Sequence, residues 1–160
     1  MKRFLELIKD CMHTVKELMP WDLEERLQAN PDILLVDVRE PYEYEAMHIR
    51  DSLLVPRGIL ESACEWNYEE TEPELVMARN REVVVVCRSG QRSVLAANSL
   101  QVLGFKNVAS LETGIRGWKD YDLPLVDGEG NDVDLDDADE YFTAHVREDQ
   151  LRPKDWVDPV

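Results

Sequence analysis

The stretch EVVVVCRSGQRS, residues 82–93, decides the fold class of this chain. Residues 82–87 are dominated by β-branched valines with no polar alternation, which predicts a strand buried on both faces of a parallel sheet. The loop that follows contains Gly90, and an apolar pattern with helical spacing then runs from Ser93 to Leu103. A buried strand that passes through a short loop into a helix is typical of an open α/β sheet.

Strand and helix patterns alternate on both sides of this stretch. Further apolar runs predict three more strands, at residues 33–38, 52–55 and 108–111. Helices are predicted at residues 22–27, 40–47 and around Trp118, and a long acidic connection with some helix at residues 56–80. Because strands and helices alternate, the expected fold is α/β, with a mainly parallel sheet and helices on both faces.

The two ends of the chain differ from this pattern. Residues 1–19 place apolar side chains on one helical stripe that Pro20 interrupts, so we predict an N-terminal helix. Beyond Pro124 the signals fade, and residues 127–160 hold 12 acidic against 3 basic side chains. We therefore divide the chain into an N-terminal helical extension, a central domain and an acidic C-terminal tail, at residues 1–13, 14–126 and 127–160. The tail is interpreted as a solvated extension, with a partner-docking tail as the alternative.

The composition limits the classes of partner. With 34 acidic and 18 basic residues the net charge is -16, and no basic run offers the concentrated positive face that a nucleic-acid binder needs. The longest apolar runs are too short to span a bilayer. Charges at Glu6, Lys9 and Asp10 interrupt any signal-peptide core, so the protein is expected in the cytoplasm, with no nucleic-acid or membrane partner.

The three cysteines, Cys11, Cys64 and Cys87, are irregularly spaced and include no Cys-x-x-Cys pair. Neither a disulfide scaffold nor a metal site is predicted from them, and no cofactor is expected. An odd number of cysteines in a cytoplasmic chain directs attention to reactive thiols instead. Cys64 is interpreted as a plain buried or loop cysteine, with a relay thiol for Cys87 as the alternative.

Cys87 lies where the predicted central strand ends, and ligands of open α/β sheets bind at the carboxyl ends of their strands. Gly90 allows the loop to curl with its N–H groups pointing inward, and the helix that begins near Ser93 adds its positive end. Arg88 and Arg92 add two full charges to a chain that is otherwise negative. Each feature favours a reactive thiolate, whereas the alternative is a small, inert cysteine that closes the strand.

The length of the loop limits the reactions that Cys87 is expected to carry out. Four residues separate Cys87 from Arg92, whereas cysteine phosphatases place five between nucleophile and arginine, and Ser93 holds that position here. A serine cannot act as the bidentate fork that a phosphate requires. The smaller ring suits one extra sulfur atom on Cys87, carried as a persulfide anion, and attack of a thiolate on sulfur needs no dedicated base. A phosphatase or an arsenate reductase on the same fold stays as an alternative.

Several motifs occur in order along the chain, in residues 35–40, 42–44, 48–49, 55–58, 87–93, 104–108 and 111–118. Together they resemble a single-domain rhodanese, a thiosulfate-type sulfurtransferase, over about residues 14–126. The resemblance implies a five-stranded parallel sheet flanked by helices, and a persulfide carried on Cys87. There are two departures: Arg50-Asp51-Ser52 replaces the family's Pro-Gly-Ala, and Thr113-Gly114 replaces its paired glycine.

The resemblance also implies roles for individual residues. Cys87 is the expected catalytic residue, and the rest of its loop is expected to bind the anionic donor: Arg88, Ser89, Gly90, Gln91, Arg92 and Ser93. Asp37 and Arg39 match a family motif and are interpreted as a buried ion pair near the site. His48 is interpreted as a neutral, hydrogen-bonded structural histidine.

The predicted function is transfer of a sulfane sulfur, from thiosulfate or a persulfide donor, through a Cys87 persulfide to a thiol, cyanide or a sulfur-carrier protein. This is a two-step scheme with a covalent intermediate and no cofactor. The alternative is a sulfur-carrier or interaction module with little turnover of its own, recruited through its acidic tail. On that alternative, removal of residues 127–160 leaves thiosulfate–cyanide turnover intact and weakens transfer to a partner.

Overall fold

A computed structural model describes residues 1–159 of the chain. Its centre is one five-stranded sheet whose pairings are all parallel, in the spatial order β1-β5-β4-β2-β3. The strands are β1 Lys16–Leu18, β2 Leu34–Asp37, β3 Leu53–Leu54, β4 Glu82–Val86 and β5 Asn107–Leu111. The predicted α/β class with a five-stranded parallel sheet is confirmed.

Eight α-helices, counted within residues 1–159, connect and flank these strands. They are α1 Phe4–Cys11, α2 Pro20–Ala29, α3 Pro41–Ala46, α4 Leu60–Ala63, α5 Pro73–Val76, α6 Gln91–Val102, α7 Gly114–Asp120 and α8 Leu135–Phe142. Short 3-10 turns lie at Arg57–Ile59 and Glu148–Gln150. In this described part of the chain, no helix combines the length and the apolar character that a bilayer crossing requires.

β4 lies at the centre of the sheet, with β5 on one side and β2 on the other. Its side chains alternate between two apolar clusters, because successive strand residues point to opposite faces. Val83 and Val85 belong to the cluster that contains residues of α1, α4, α5 and α6. Val84 and Val86 belong to the cluster that contains residues of α2, α7 and α8. Both faces are covered by helices, so the valine run has no exposed side.

The N-terminal segment differs from the prediction of one helix over residues 1–19. α1 ends at Cys11, and Lys16–Leu18 instead form the edge strand β1, which pairs with β5. The helical prediction is wrong after Cys11: residues three apart share one face of a helix but lie on opposite faces of a strand, and Val15 and Leu18 pack against the two different apolar clusters. The open edge of β5 supplies hydrogen-bond partners that spacing along the sequence does not show. Pro20 is the first residue of α2, where the missing N–H of a proline is tolerated.

The acidic tail contains a helix that the sequence analysis does not predict. α8 packs on the second cluster through Ala138 and Phe142, whose side chains are only 2% and 1% exposed. The expectation of a solvated extension fails for α8 because its apolar side chains share one helical face among the acids. Residues 143–159 are exposed, apart from the half-buried Asp158. The division of the chain at residue 127 stays a prediction.

Candidate active site

The loop between β4 and α6 curls around the sulfur of Cys87. Gly90 has a φ of 94°, a left-handed conformation that favours glycine, and α6 starts directly after it. Its N–H donates to Cys87 Sγ at 3.1 Å, and the N–H of Ser93, in the first turn of α6, donates to the same atom at 3.3 Å. Two main-chain dipoles therefore point at one sulfur atom.

A pair of hydroxyl groups adds to the polar surroundings of this sulfur. Ser93 Oγ lies 3.2 Å from Cys87 Sγ, and Ser110 on β5 donates to Ser93 Oγ at 2.7 Å. Cys87 is 1% exposed, and both serines are fully buried. Ser110 could not be identified from the sequence, because the partner of a serine in a strand is known only once the register of β5 against β4 is known.

The start of α7 holds the loop from the other side. Ile115 N–H donates to Cys87 O at 2.8 Å, and Arg116 N–H donates to Arg88 O at 3.0 Å. Gly114 has a φ of 63°, and a Cβ on it would lie 2.5 Å from both the carbon and the oxygen of the Arg88 carbonyl. This close approach of two backbones explains why the position carries glycine.

The two departures from the rhodanese pattern have local solutions. Thr113 adopts a φ of 66°, which is a strained conformation for a β-branched residue. In the turn at residues 50–52, Asp51 takes the left-handed conformation, with a φ of 63°. Arg50 donates to the carboxylate of Asp132 at 3.4 Å, so its charge is directed to the segment before α8.

Arg92 forms a bidentate ion pair with Glu43 on α3, with both N–O distances at 2.8 Å. Burial raises the pKa of Glu43, but hydrogen bonds from Arg92 and from the N–H of Glu40 outweigh it, so this pKa lies below its usual value. The hydrogen bond to Glu43 in turn raises the pKa of Arg92. The sequence predicts Arg92 as a donor-binding residue; the structure places its guanidinium against a buried carboxylate, where it joins α6 to α3.

Arg88 reaches the end of α8. Its Nη2 donates to Phe142 O at 3.2 Å and to Thr143 O at 3.5 Å. Its guanidinium carbon lies 5.8 Å from the centre of the Phe142 ring. A cation at the C-terminal end of a helix is favourable, because the last carbonyl groups carry partial negative charge. The loop that follows Cys87 is therefore in direct contact with the helix of the acidic tail.

Ser89 and Gln91 lie on the outer side of the loop. Ser89 Oγ donates to Gln91 Oε1 at 3.1 Å, and Ser89 is exposed while Gln91 is half-buried. Ser89 also lines a cavity of about 300 Å³, together with Thr113, Arg116, Gly117 and Asp120. Of the loop residues predicted to bind the donor, Gly90 and Ser93 thus contact the Cys87 sulfur. The two arginines contact the helices α8 and α3, and Ser89 and Gln91 contact each other.

Asp37 and Arg39 form a fully buried ion pair at the end of β2, the strand next to β4. Arg39 Nη2 donates to Asp37 Oδ2 at 2.8 Å and to Met47 O at 2.7 Å. The ring of His48 stacks on Tyr44 at 3.7 Å, and its Nδ1 lies 2.8 Å from Tyr44 O. These contacts join α3 and the segment after it to the sheet.

The other two cysteines have different surroundings. Cys64 follows α4 and is fully buried in the first apolar cluster. Burial raises the pKa of its thiol to about 11. Cys11 is half-buried on α1, and all three cysteines are free thiols. Within residues 1–159, no group of three or more His, Cys, Asp or Glu side chains is arranged to hold a metal ion.

Residues 19–121 match the family described as the rhodanese-like domain. The chain belongs to this family, and the family prediction is confirmed. It is 34% identical over 116 residues to a sulfurtransferase of Allochromatium vinosum, a match that covers 72% of this chain and 99% of that protein. It is 30% identical over 106 residues to a Bacillus subtilis protein named "putative sulfur carrier protein", covering 66% of this chain and only 51%, about half, of that relative.

Solved structures share the fold. The polysulfide-sulfur transferase homodimer of Wolinella succinogenes has a TM-score of 0.62 and 31% identity, over 78% of this chain and 87% of that chain. A protein of unknown function from Rhodopseudomonas palustris, described as a possible tyrosine phosphatase, has a TM-score of 0.70 and 27% identity, over 77% and 93% of the two chains. The sulfurtransferase relatives support sulfur transfer as the general activity of the chain.

Proposed function

We propose that this protein transfers a sulfane sulfur, from thiosulfate or a persulfide donor, through a persulfide on Cys87 to an acceptor. The acceptor is cyanide in an assay, and a thiol or a sulfur-carrier protein in the cell. The observation that carries the proposal is the pair of N–H groups, of Gly90 and Ser93, that donate to the Cys87 sulfur. Main-chain dipoles of this kind stabilise an anion in place, and they do so with no cofactor.

The first half-reaction is attack of the Cys87 thiolate on the outer sulfur of thiosulfate. A sulfur–sulfur bond forms on Cys87, the sulfur–sulfur bond of the donor breaks, and sulfite leaves with the electron pair. In the second half-reaction an acceptor thiolate or cyanide attacks the outer sulfur of the persulfide, and Cys87 leaves as a thiolate. Charge and electrons balance in both steps, so neither an oxidant nor a reductant is required.

The loop residues take different parts in this scheme. Gly90 and Ser93 hold the anionic sulfur. Arg88 binds the anionic donor. Its Nη2 donates to main-chain carbonyl oxygens, which do not neutralise the positive charge of the guanidinium as a carboxylate would. Arg92 acts through its ion pair with α3, which holds the start of α6 in place. The remaining two loop residues, Ser89 and Gln91, form the outer rim.

A phosphatase on the same fold is disfavoured by the same loop. Ser93 holds the position of the phosphatase arginine, and its N–H and Oγ both face the Cys87 sulfur. Arg92, one residue earlier, is bound to the carboxylate of Glu43. We therefore expect no turnover of a small aryl phosphate, and a measured turnover that is lost in Cys87→Ser would reverse this assignment.

Intact mass after incubation with thiosulfate tests the proposal. The wild type is expected to gain the mass of one sulfur atom and to lose it again when cyanide is added. Cys87→Ser is expected to gain nothing. Cys64→Ser is the matched control, because it removes a second buried thiol from the same apolar cluster, and it is expected to behave as the wild type does. If the Cys87→Ser variant also gains a sulfur atom that cyanide removes, Cys87 is not the residue that carries the persulfide.

A second candidate is a sulfur-carrier or interaction module with little turnover of its own. The similarity to the Bacillus subtilis relative and the exposed acidic side chains within residues 129–140 favour it. Removal of the tail from residue 127 does not separate the two functions, because it deletes α8 and the buried Phe142 that contacts Arg88. A variant that keeps α8 but replaces the exposed carboxylates of Asp136, Asp137 and Glu140 with amides separates them. If the variant transfers less sulfur to a protein acceptor, and thiosulfate–cyanide turnover is near zero in both the wild type and the variant, the module is supported. Fast thiosulfate–cyanide turnover in both chains supports the enzyme.

A further inference from the structure

Ser110 is a buried hydroxyl in an apolar strand. Its side chain is fully buried on β5, and its neighbours on that strand, Val108 and Leu111, belong to the two apolar clusters. A hydroxyl that leaves water without a hydrogen-bond partner destabilises a fold, so a buried hydroxyl points to a specific partner. Ser110 Oγ donates to Ser93 Oγ at 2.7 Å, the distance of a well-formed bond between two hydroxyl groups.

The register of the sheet brings Ser110 to the same side as Cys87. Ser110 pairs with Val85 on β4, and Val85 and Cys87 point to one face because they are two residues apart. Ser93, in the first turn of α6, lies between the two groups, 3.2 Å from Cys87 Sγ and 2.7 Å from Ser110 Oγ. All three side chains are buried, so little water competes for these hydrogen bonds.

We propose that Ser110 is a positioning residue for sulfur transfer: by donating to Ser93 Oγ, it directs the hydrogen of Ser93 to the sulfur of Cys87. The proposal rests on the persulfide scheme of the preceding subsection. A serine hydroxyl carries one hydrogen and two acceptor lone pairs. Because Ser110 donates to one lone pair of Ser93, the hydrogen of Ser93 is left for Cys87, and a hydrogen bond to an anionic sulfur is stronger than one between neutral groups.

Donation in the opposite direction, from the thiol of Cys87 to Ser93 Oγ, fits the surrounding groups less well. A protonated Cys87 that donated to Ser93 would give Ser93 Oγ two donors, and the hydrogen of Ser93 would need another buried acceptor. Within residues 1–159 the hydroxyl of Ser93 has Cys87 and Ser110 as its partners. The hydroxyl groups therefore form a line of donors from Ser110 through Ser93 to the sulfur, in addition to the two main-chain N–H groups.

A double-mutant cycle with Ser93→Ala and Ser110→Ala tests this line of donors. The rate constant for persulfide formation at saturating thiosulfate is measured by rapid mixing and intact mass in the four chains. Ser110→Ala is expected to lower it about tenfold, the effect of one lost hydrogen bond to a charged group, with KM for thiosulfate unchanged. In the Ser93→Ala background the same change is expected to have no further effect, because Ser110 acts through Ser93.

Two further sets of variants separate positioning from packing. Ser110→Thr and Ser110→Val have the same shape, and the threonine is expected to keep the rate while the valine loses it. Ser52→Ala removes another buried hydroxyl, which donates to Ile49 O at 2.6 Å, and is expected to lower stability without changing the rate. Equal rates for the threonine and valine variants overturn the proposal, as does a Ser110→Ala effect that is the same with and without Ser93.

Alkylation of Cys87 by iodoacetamide distinguishes a failure of this proposal from a failure of the proposed function. It requires an activated Cys87 sulfur but no sulfur donor and no persulfide. If thiosulfate leaves no sulfur on the wild type, the sulfurtransferase proposal fails, while the same cycle of alkylation rates still decides on Ser110. Coupling between Ser93 and Ser110 in those rates supports the positioning role, and its absence overturns it.

Discussion

Cys64 and Cys87 lie in the same apolar cluster and are almost completely buried, yet the groups around the two sulfur atoms differ. Cys64 follows the last residue of α4, at the carbonyl end of a helix, and burial raises the pKa of its thiol to about 11. Cys87 precedes α6 and accepts hydrogen bonds from the N–H groups of Gly90 and Ser93. The main-chain donors that point at Cys87 Sγ therefore distinguish the two thiols where burial does not.

This contrast teaches that a thiol enclosed in a core can still be surrounded by donors, provided that the main chain turns toward it. The loop after β4 makes that turn with the help of Gly90 and of α7, whose N–H groups hold the carbonyls of Cys87 and Arg88. If the contrast is correct, changes to the loop should lower sulfur transfer, and changes at Cys64 should alter stability alone.

The largest effect is expected for Gly114→Ala. A Cβ at this position would lie 2.5 Å from the backbone of Arg88, so the loop must move. The N–H groups of Gly90 and Ser93 would then no longer point at the Cys87 sulfur. We expect persulfide formation to fall about a hundredfold, since a displacement on the order of 1 Å is that costly for reacting groups. Gly104→Ala is the matched control: its φ of 92° is also left-handed, but no atom lies within 4 Å of the added carbon. Equal rates in the two variants would show that the loop tolerates the displacement.

A smaller effect is expected for Arg92→Ala. The change removes the tie between α6 and α3 and leaves the buried carboxylate of Glu43 without its cation. We expect thiosulfate turnover to fall about tenfold and the free energy of unfolding to fall with it. Arg50→Ala removes an exposed arginine whose contacts are as long as 3.4 Å, and little change is expected in either measurement. Equal effects would mean that Arg92 has no special part in the loop.

The smallest effect is expected in the pH dependence of the free energy of unfolding, which the Cys64 thiol changes at alkaline pH. The folded chain keeps the proton of this thiol up to about pH 11, whereas the ordinary pKa of 9.0 applies to the unfolded chain. Between these values the unfolded chain binds fewer protons, so the free energy of unfolding decreases as pH rises through this window. Urea denaturation of Cys64→Ala should show a shallower decrease from about pH 9 to about pH 11 than the wild type does. Parallel decreases in the two chains would contradict the raised pKa.

The parts of the fold that could be predicted are those encoded locally. β2 and β4 read as continuous apolar runs because both of their faces are covered, and Leu34–Asp37 and Val83–Val86 are buried throughout. The loop from Cys87 to Ser93 could be identified because strand, glycine and helix follow one another directly along the chain. A local order of this kind requires no knowledge of distant partners.

The parts that could not be predicted depend on partners far away in the sequence. Leu18 belongs to a strand only because Leu111 lies opposite it, and Phe142 is buried only because the second face of the sheet needs cover. The ion-pair partner of Arg92 could not be predicted for the same reason, since Glu43 lies 49 residues earlier in the sequence. The predicted role of Arg92 followed from its place in the loop, and the carboxylate that binds it could not enter that reasoning.

The sequence by itself determined the α/β architecture, the central position of the valine strand and the place of Cys87 at its end, because periodicity and chain order are local properties. Only the tertiary structure decided which groups face the sulfur: the N–H groups of Gly90 and Ser93, and Ser110 behind Ser93. Hydrogen bonds form between atoms a few ångströms apart in space, and strand register and helix packing bring those atoms together from separate segments of the chain.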